Sequence, residues 1–193
     1  MLTLVNKPVG AERVMAAARR VLAREGSASL SMRNVAAEAG ITATAIYRHF
    51  KDKDALLATL IRERYDEFLQ YLADAAPGRS PLERLMNVFD RYADFAVDHP
   101  SSYDLLFVEP HGISIDRYPT DFNSGKSRGF RQLRALVEAC LESGEIRAGD
   151  PTDIALDLYA HAHGLVMLHR AGRFGGKHDV MRRFFRRSMA RLA

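Results

Sequence analysis

The sequence holds one cysteine, Cys140, among 193 residues. No disulfide can close within the chain, and that fits a reducing compartment. No apolar run approaches the roughly 18 residues that a membrane-spanning helix needs. The opening stretch is broken by Lys7, Pro8 and Gly10 and offers no signal-peptide core. These absences predict a soluble, cytoplasmic protein with no membrane partner. Alternating β-branched stretches are also missing, which argues against a sheet. There is no glycine-rich phosphate loop, no nucleophile elbow and no Cys/His spacing of a zinc site. His161 and His163 would point about 200° apart on a helix and could not share a metal. No catalytic residue, cofactor or metal is therefore expected. Cys140, on an apolar helix face, reads as buried and inert.

What is present is ordinary globular material, 47% apolar and 27% charged, in a chain long enough to bury a substantial core. The charge is unevenly placed. Residues 1–60 carry nine Lys/Arg against five Asp/Glu, whereas residues 61–193 carry nineteen of each. A basic N-terminal third on a neutral body points to a polyanionic partner for that third alone.

Capping residues and apolar periodicity predict an all-α chain of about nine helices. The first spans about 11–25 and ends at Gly26. Ser31 caps a short helix that Gly40 ends, and Thr42 caps another to about His49. Asp52 opens a long helix to about Ala75. Ser80-Pro81-Leu82-Glu83 is a strong start for the next, with Ser as cap, Pro at the first position and Glu reaching back. That helix stops before Pro100, and a short one follows to Val108. Residues 110–124 show no period and read as a long irregular loop. Three more helices are expected, over about 126–143, 151–170 and 177–192. The arginines of the last one (Arg182, Arg183, Arg186, Arg187 and Arg191) read as its solvated side.

Residues 31–53 read SMRNVAAEAGITATAIYRHFKDK. Two short helices flank a Gly40 turn, with Val35, Ala36, Ala39, Ile41 and Ile46 as the seam between them. This is the pattern of a helix-turn-helix. The second helix begins with small or hydroxylated residues that can sit deep in a major groove. Tyr47, Arg48, His49, Lys51 and Lys53 follow and suit phosphate oxygens. Tyr47 reads as DNA-facing, and Phe50 as core beside Leu57.

Residues 11–57 resemble the N-terminal DNA-binding domain of the TetR family of bacterial transcriptional regulators. The likeness rests on Ile46 to Leu57 (IYRHFKDKDALL), which is similar to that family's Tyr-x-His-Phe plus Lys-x-x-Leu-Leu signature. It implies base-edge roles for Arg33, Ala43 and Thr44 and phosphate roles for Thr42, Tyr47, His49 and Lys53. Ala45 stands where relatives commonly carry Thr or Ser. Ala43 can meet a base only through a thymine methyl. Specificity would then lean on Arg33, Thr44 and DNA shape.

The resemblance also implies a division into a DNA-binding domain over 1–57, a linking helix at about 53–75, and a ligand-binding and dimerisation domain over 76–193. The partners implied are a double-stranded operator, a small effector and a second copy of the chain. Leu156 to Phe174 is similar to the His-Gly element of one C-terminal subgroup, through His163-Gly164. Phe68, Phe89, Tyr92, Phe95, Tyr103, Phe107, Tyr159 and His163 could line an apolar pocket or form plain core. The helix over 151–170 is apolar nearly all round, so a homodimer interface on 151–192 is expected, through Leu158, Leu165, Phe184 and Met189. A self-contained core is the alternative. The implied function is a repressor released from a palindromic operator by a largely apolar effector. Two other readings stay open: a helical binding protein whose helix-turn-helix no longer reads DNA, and a small all-α enzyme.

Overall fold

The computed structural model describes residues 10–75, 77–109, 120–123 and 125–192. Every regular element among them is helical. They form two compact units: residues 10–66 with 99–109, and 67–98 with 120–192.

The first unit holds α1 (Ala11–Glu25), a 3-10 turn (Ser27–Ser29), α2 (Met32–Ala39), α3 (Ala43–Ile46), and the part of α4 (Lys53–Ala73) up to Asp66. It also holds α6 (Pro100–Tyr103) and a π-helical segment (Asp104–Val108). Val14, Ala17, Ala18, Val21 and Leu22 give α1 a buried face at helical spacing. Val35, Ala36 and Ala39 of α2, which packs on α1, are buried, as are Ile46 of α3 and Leu56, Leu60 and Ile61 of α4. By contacts the first unit runs along α4 to Asp66 and takes in residues 99–109. Residues 99–109 pack with the N-terminal unit because α6 lies against α1 and Tyr103 is fully buried there. The π turn closes with Glu109 N–H donating to Asp104 O at 3.0 Å. Glu109 accepts the hydroxyl of the buried Ser27, from the turn after α1.

The second unit contains the rest of α4, α5 (Pro81–Asp98), α7 (Thr120–Asn123), α8 (Arg128–Glu142), α9 (Pro151–Arg170) and α10 (His178–Leu192). The expected capping at Ser80 is present. Glu83 N–H donates to Ser80 Oγ at 3.3 Å, and Glu83 Oε2 accepts from Arg79 N–H at 2.8 Å. Asp150 Oδ1 accepts from Thr152 and Asp153 N–H at the start of α9. Cys140 is buried, which pushes its thiol up to about 11. Of the expected loop over 110–124, residues 110–119 and 124 lie outside the described residues, and 120–123 form one helical turn.

The arginine face of α10 is not simply solvated. Arg182 reaches Asp94 at 3.3 Å and Arg186 reaches Asp90 at 2.7 Å, both on α5. Burial pushes the Asp90 carboxyl above its ordinary value even with Arg186 beside it.

Candidate nucleic-acid interface

The helix-turn-helix is built by local hydrogen bonds that its sequence dictates. Ser31 Oγ accepts from Asn34 N–H at 3.1 Å and starts α2. Gly40 ends it with φ +64°. The Gly40 and Ile41 amides then donate to Ala37 and Ala36 carbonyls, each at 3.0 Å. That pair of bonds turns the chain back and needs the left-handed glycine. Thr42 Oγ1 accepts from Ala45 N–H at 3.1 Å and starts α3. The cap uses one lone pair of Thr42 and leaves its O–H available as a donor. The regular part of α3 ends at Ile46, short of the expected His49. Residues 47–49 continue as a turn, with His49 and Phe50 amides both donating to Ile46 O. Phe50 is the reason: it is 8% exposed, so the chain bends inward to bury it. Asp52 Oδ1 then accepts from Ala55 N–H at 2.8 Å and opens α4, with Lys53 at its first position.

This framework sorts the side chains into two sets. Val35, Ala36, Ala39 and Ile46 are sealed in the seam, and Ile41 is half-buried. Arg33, Thr42, Ala43, Thr44, Tyr47, His49 and Lys53 are all exposed. Tyr47 is 54% exposed, which separates it from the neighbouring Phe50 and sets its ring and hydroxyl on the surface.

The cations sort in the same way. Arg19 bridges Glu12 at 2.8 Å and Glu63 at 3.0 Å. Glu38 of α2 takes Arg20 at 2.6 Å and Arg24 at 3.0 Å, so α1 and α2 are tied by charge. The Arg20 and Arg24 guanidiniums hold the Glu38 carboxyl below its ordinary value. Arg33, Arg48, Lys51 and Lys53 are exposed and make no ion pair among the described residues. The excess positive charge read from the sequence is thus concentrated on the helix-turn-helix and the start of α4. Sequence reasoning passed over Arg13. Its guanidinium lies 3.1 Å from where a Cβ on Gly40 would stand, on an exposed side chain with no ion pair among the described residues. No local motif joins residues 27 positions apart, so only the packing of α1 on α2 reveals it.

The aromatic residues singled out in the sequence fall into both units. In the second, Phe68 meets Tyr92 and Phe95 with ring centroids 6.0 and 5.0 Å apart, and Tyr92 meets Tyr159 at 6.1 Å. The Tyr92 hydroxyl lies 3.2 Å from His163 Nδ1, and burial holds the His163 pKa below its ordinary value. Phe89 is buried in the same unit. Tyr103 and Phe107 belong to the first unit, where their rings lie 5.0 Å apart. Leu158, Leu165 and Met189, expected to face a second subunit, are buried within the single chain, and Phe184 is half-buried. Apolar periodicity marked these positions as covered but not by what.

An exposed, cation-rich helix-turn-helix whose basic groups are left unpaired defines a DNA-binding protein. Residues 14–60 match the model of the bacterial regulatory proteins of the tetR family, and residues 85–192 match the tetracyclin repressor-like C-terminal domain. The chain belongs to the TetR family of DNA-binding transcriptional regulators. Solved structures share the fold. A protein of unknown function from Rhodococcus sp. RHA1 is 24% identical, with TM-score 0.74 over 98% of this chain and all of that one. A tetR-family regulatory protein from Rhodococcus RHA1 is 21% identical, with TM-score 0.70 over 96% and 97%. A TetR/AcrR-family regulator from Thermobifida fusca YX-ER1 is 20% identical, with TM-score 0.64 over 93% and 96%.

Proposed function

We propose that this regulator is a homodimeric repressor of a near-palindromic operator, released by a small, largely apolar effector. The exposed row Arg33, Thr42, Ala43, Thr44, Tyr47, His49 and Lys53, with unpaired cations around it, is the observation that carries the reading. Arg33 and Thr44 would reach base edges, and Ala43 a thymine methyl. Thr42, Tyr47, His49 and Lys53 would hold phosphates, Lys53 beside the amides that open α4. Two copies would place two α3 helices in successive major grooves, about 34 Å apart. Binding there occludes a promoter without any contact to polymerase.

The dimer surface is better sought on what α9 leaves exposed. Asp153, Asp157, Ala160, Gly164 and Leu168 are exposed at helical spacing, and Leu168 is 47% exposed. A Cβ on Gly164 would meet nothing within 4 Å in the chain, so a second helix has room to approach there. The effector would enter the residues 76–193 domain among Phe89, Tyr92, Phe95, Tyr159 and His163, with Phe68 of α4 beside them. Tyr92 and His163 would supply the polar contact in an apolar setting. The helix over 53–75 would carry the change to the reading head.

Selection of bound duplexes from random sequence, followed by anisotropy against salt, tests the DNA reading. A palindrome bound with affinity that falls steeply with salt supports it. No enriched sequence even at low salt sinks it, and favours a head that no longer reads DNA, as Ala43 and Ala45 would allow.

A further inference from the structure

Two imidazole nitrogens in the second unit are sealed from solvent with no hydrogen-bond partner among the described residues: His169 Nδ1 at the end of α9 and His178 Nδ1 at the start of α10. Buried polar atoms are nearly always paired, so each exception asks for a physical account. Here the two exceptions are neighbours, with ring centroids 5.8 Å apart and planes inclined at 48°. The turn over 171–177 brings them together. Gly172, Gly175 and Gly176 take positive φ, and Arg173 N–H donates to Leu168 O at 3.0 Å. The Phe174 ring lies 6.2 Å from that of His169 and 5.7 Å from that of Phe184.

The other face of His178 is just as specific. Its Nε2 lies 3.2 Å from Asp94 Oδ1, on a carboxylate whose side chain is only 15% exposed and which also takes Arg182 Nε at 3.3 Å. A carboxylate accepts only, so it holds the ring proton on Nε2 and leaves the Nδ1 lone pair directed away. A carboxylate behind one ring nitrogen, with a bare lone pair on the other, is how proteins orient a histidine toward a metal. Two imidazoles bound to one ion at roughly 2.0 Å per bond put their ring centroids about 5.2 Å apart at the tetrahedral angle, so the observed 5.8 Å asks the rings to close by about half an ångström or the angle at the ion to open.

We infer that His169 and His178 form a two-imidazole site for a late first-row divalent ion such as Zn²⁺, Co²⁺ or Ni²⁺, with water completing its coordination. Among the described residues, no group of three or more His, Cys, Asp or Glu side chains could hold a metal. The protein therefore supplies two ligands, and the affinity belongs well below that of a structural zinc site. Imidazole donors favour these ions over Mg²⁺ and Ca²⁺, which prefer oxygen. Bound there, the ion would tie the end of α9 to the start of α10. The two residues stand nine positions apart, outside any metal-binding spacing in the sequence.

The test uses the full chain without a histidine tag, stripped with EDTA and titrated with Co²⁺ followed by visible absorption, and with Zn²⁺ followed by calorimetry. We expect one ion per chain, no response to Mg²⁺, and a melting temperature raised by several degrees at saturating Zn²⁺. His169→Ala and His178→Ala should each abolish the Co²⁺ spectrum. Asp94→Asn should weaken binding about 10- to 100-fold while both ligands remain. His161→Gln, whose ring pairs with Ser188, should leave binding unchanged. Circular dichroism of the metal-free variants checks their folding, and His169→Gln/His178→Gln replaces the alanine variants if those unfold. No spectrum and no heat up to millimolar ion overturns the site, leaving a trapped water as what the two Nδ1 atoms share. Binding that survives loss of both imidazoles overturns it equally.

Discussion

At the residue scale, the exposed row of the helix-turn-helix divides by chemistry into groups that read and groups that hold. Thr44 is exposed near the start of α3 and offers a hydroxyl to a base edge. Lys53 offers only charge, beside the amides that open α4. Thr44→Ala should cost about 1–3 kcal/mol at one position of each half-site and relax the preference there. Lys53→Ala should weaken every duplex by a similar factor and flatten the salt dependence by about one phosphate contact per head. Anisotropy on a panel of single-base operator variants separates these outcomes, and a uniform loss from Thr44→Ala would remove it from the reading set. The aromatic neighbours Tyr47 and Phe50 show how much one residue's role could be read in advance. Leu57 needs an apolar partner, which assigns Phe50 inward, and the phenol of Tyr47 suits a wet surface. Both are found so placed.

At the element scale, the turn between α2 and α3 rests on one conformation. Gly40 sits at φ +64°, and a Cβ there would stand 3.1 Å from the Arg13 guanidinium. Gly40→Ala should cost about 1–2 kcal/mol of stability from the left-handed backbone alone, read from urea denaturation. It should also displace Arg13 and weaken DNA binding more than Ser31→Ala, which removes only the cap, worth about 1 kcal/mol. Gly164 presents the opposite case. It is exposed in the middle of α9 with ordinary φ and open space around it. Gly164→Ala should stabilise the isolated chain by up to about 1 kcal/mol, because alanine is the better helix former. Gly164→Leu should fold equally well yet shift sedimentation toward the monomer, if a partner helix crosses there. An unchanged dimer with Leu at 164 would move the interface elsewhere. Helix starts and stops were legible because Ser31, Gly40, Thr42, Ser80 and Asp150 act on amides within a few residues. The docking of residues 99–109 on α1, and the meeting of His169 with His178, were not. Each is decided by packing that no local spacing encodes.

At the scale of the whole molecule, buried groups that resist a proton make stability depend on pH, and His163 is the clearest of them. Its ring is half-buried beside the Tyr92 hydroxyl, and burial holds its pKa below the ordinary 6.5. In the unfolded chain the same ring titrates near its ordinary value. Below about pH 6.5 the unfolded state therefore takes up a proton that the folded state refuses, and unfolding gains. The contribution is intact above that pH and is lost as pH falls toward the depressed folded value. The carboxylates of Glu12 and Glu38 are held low by arginine, so their contribution has the same sign but fades only below about 4.5. The two windows are separable. Urea midpoints measured with EDTA present should fall between pH 7.5 and 5.5 in the native chain. His163→Gln should flatten that fall while leaving the loss below pH 4.5 in place. An unchanged slope in the glutamine variant would mean that His163 accepts its proton without opening the core, and that the Tyr92 hydroxyl can accommodate the charged ring.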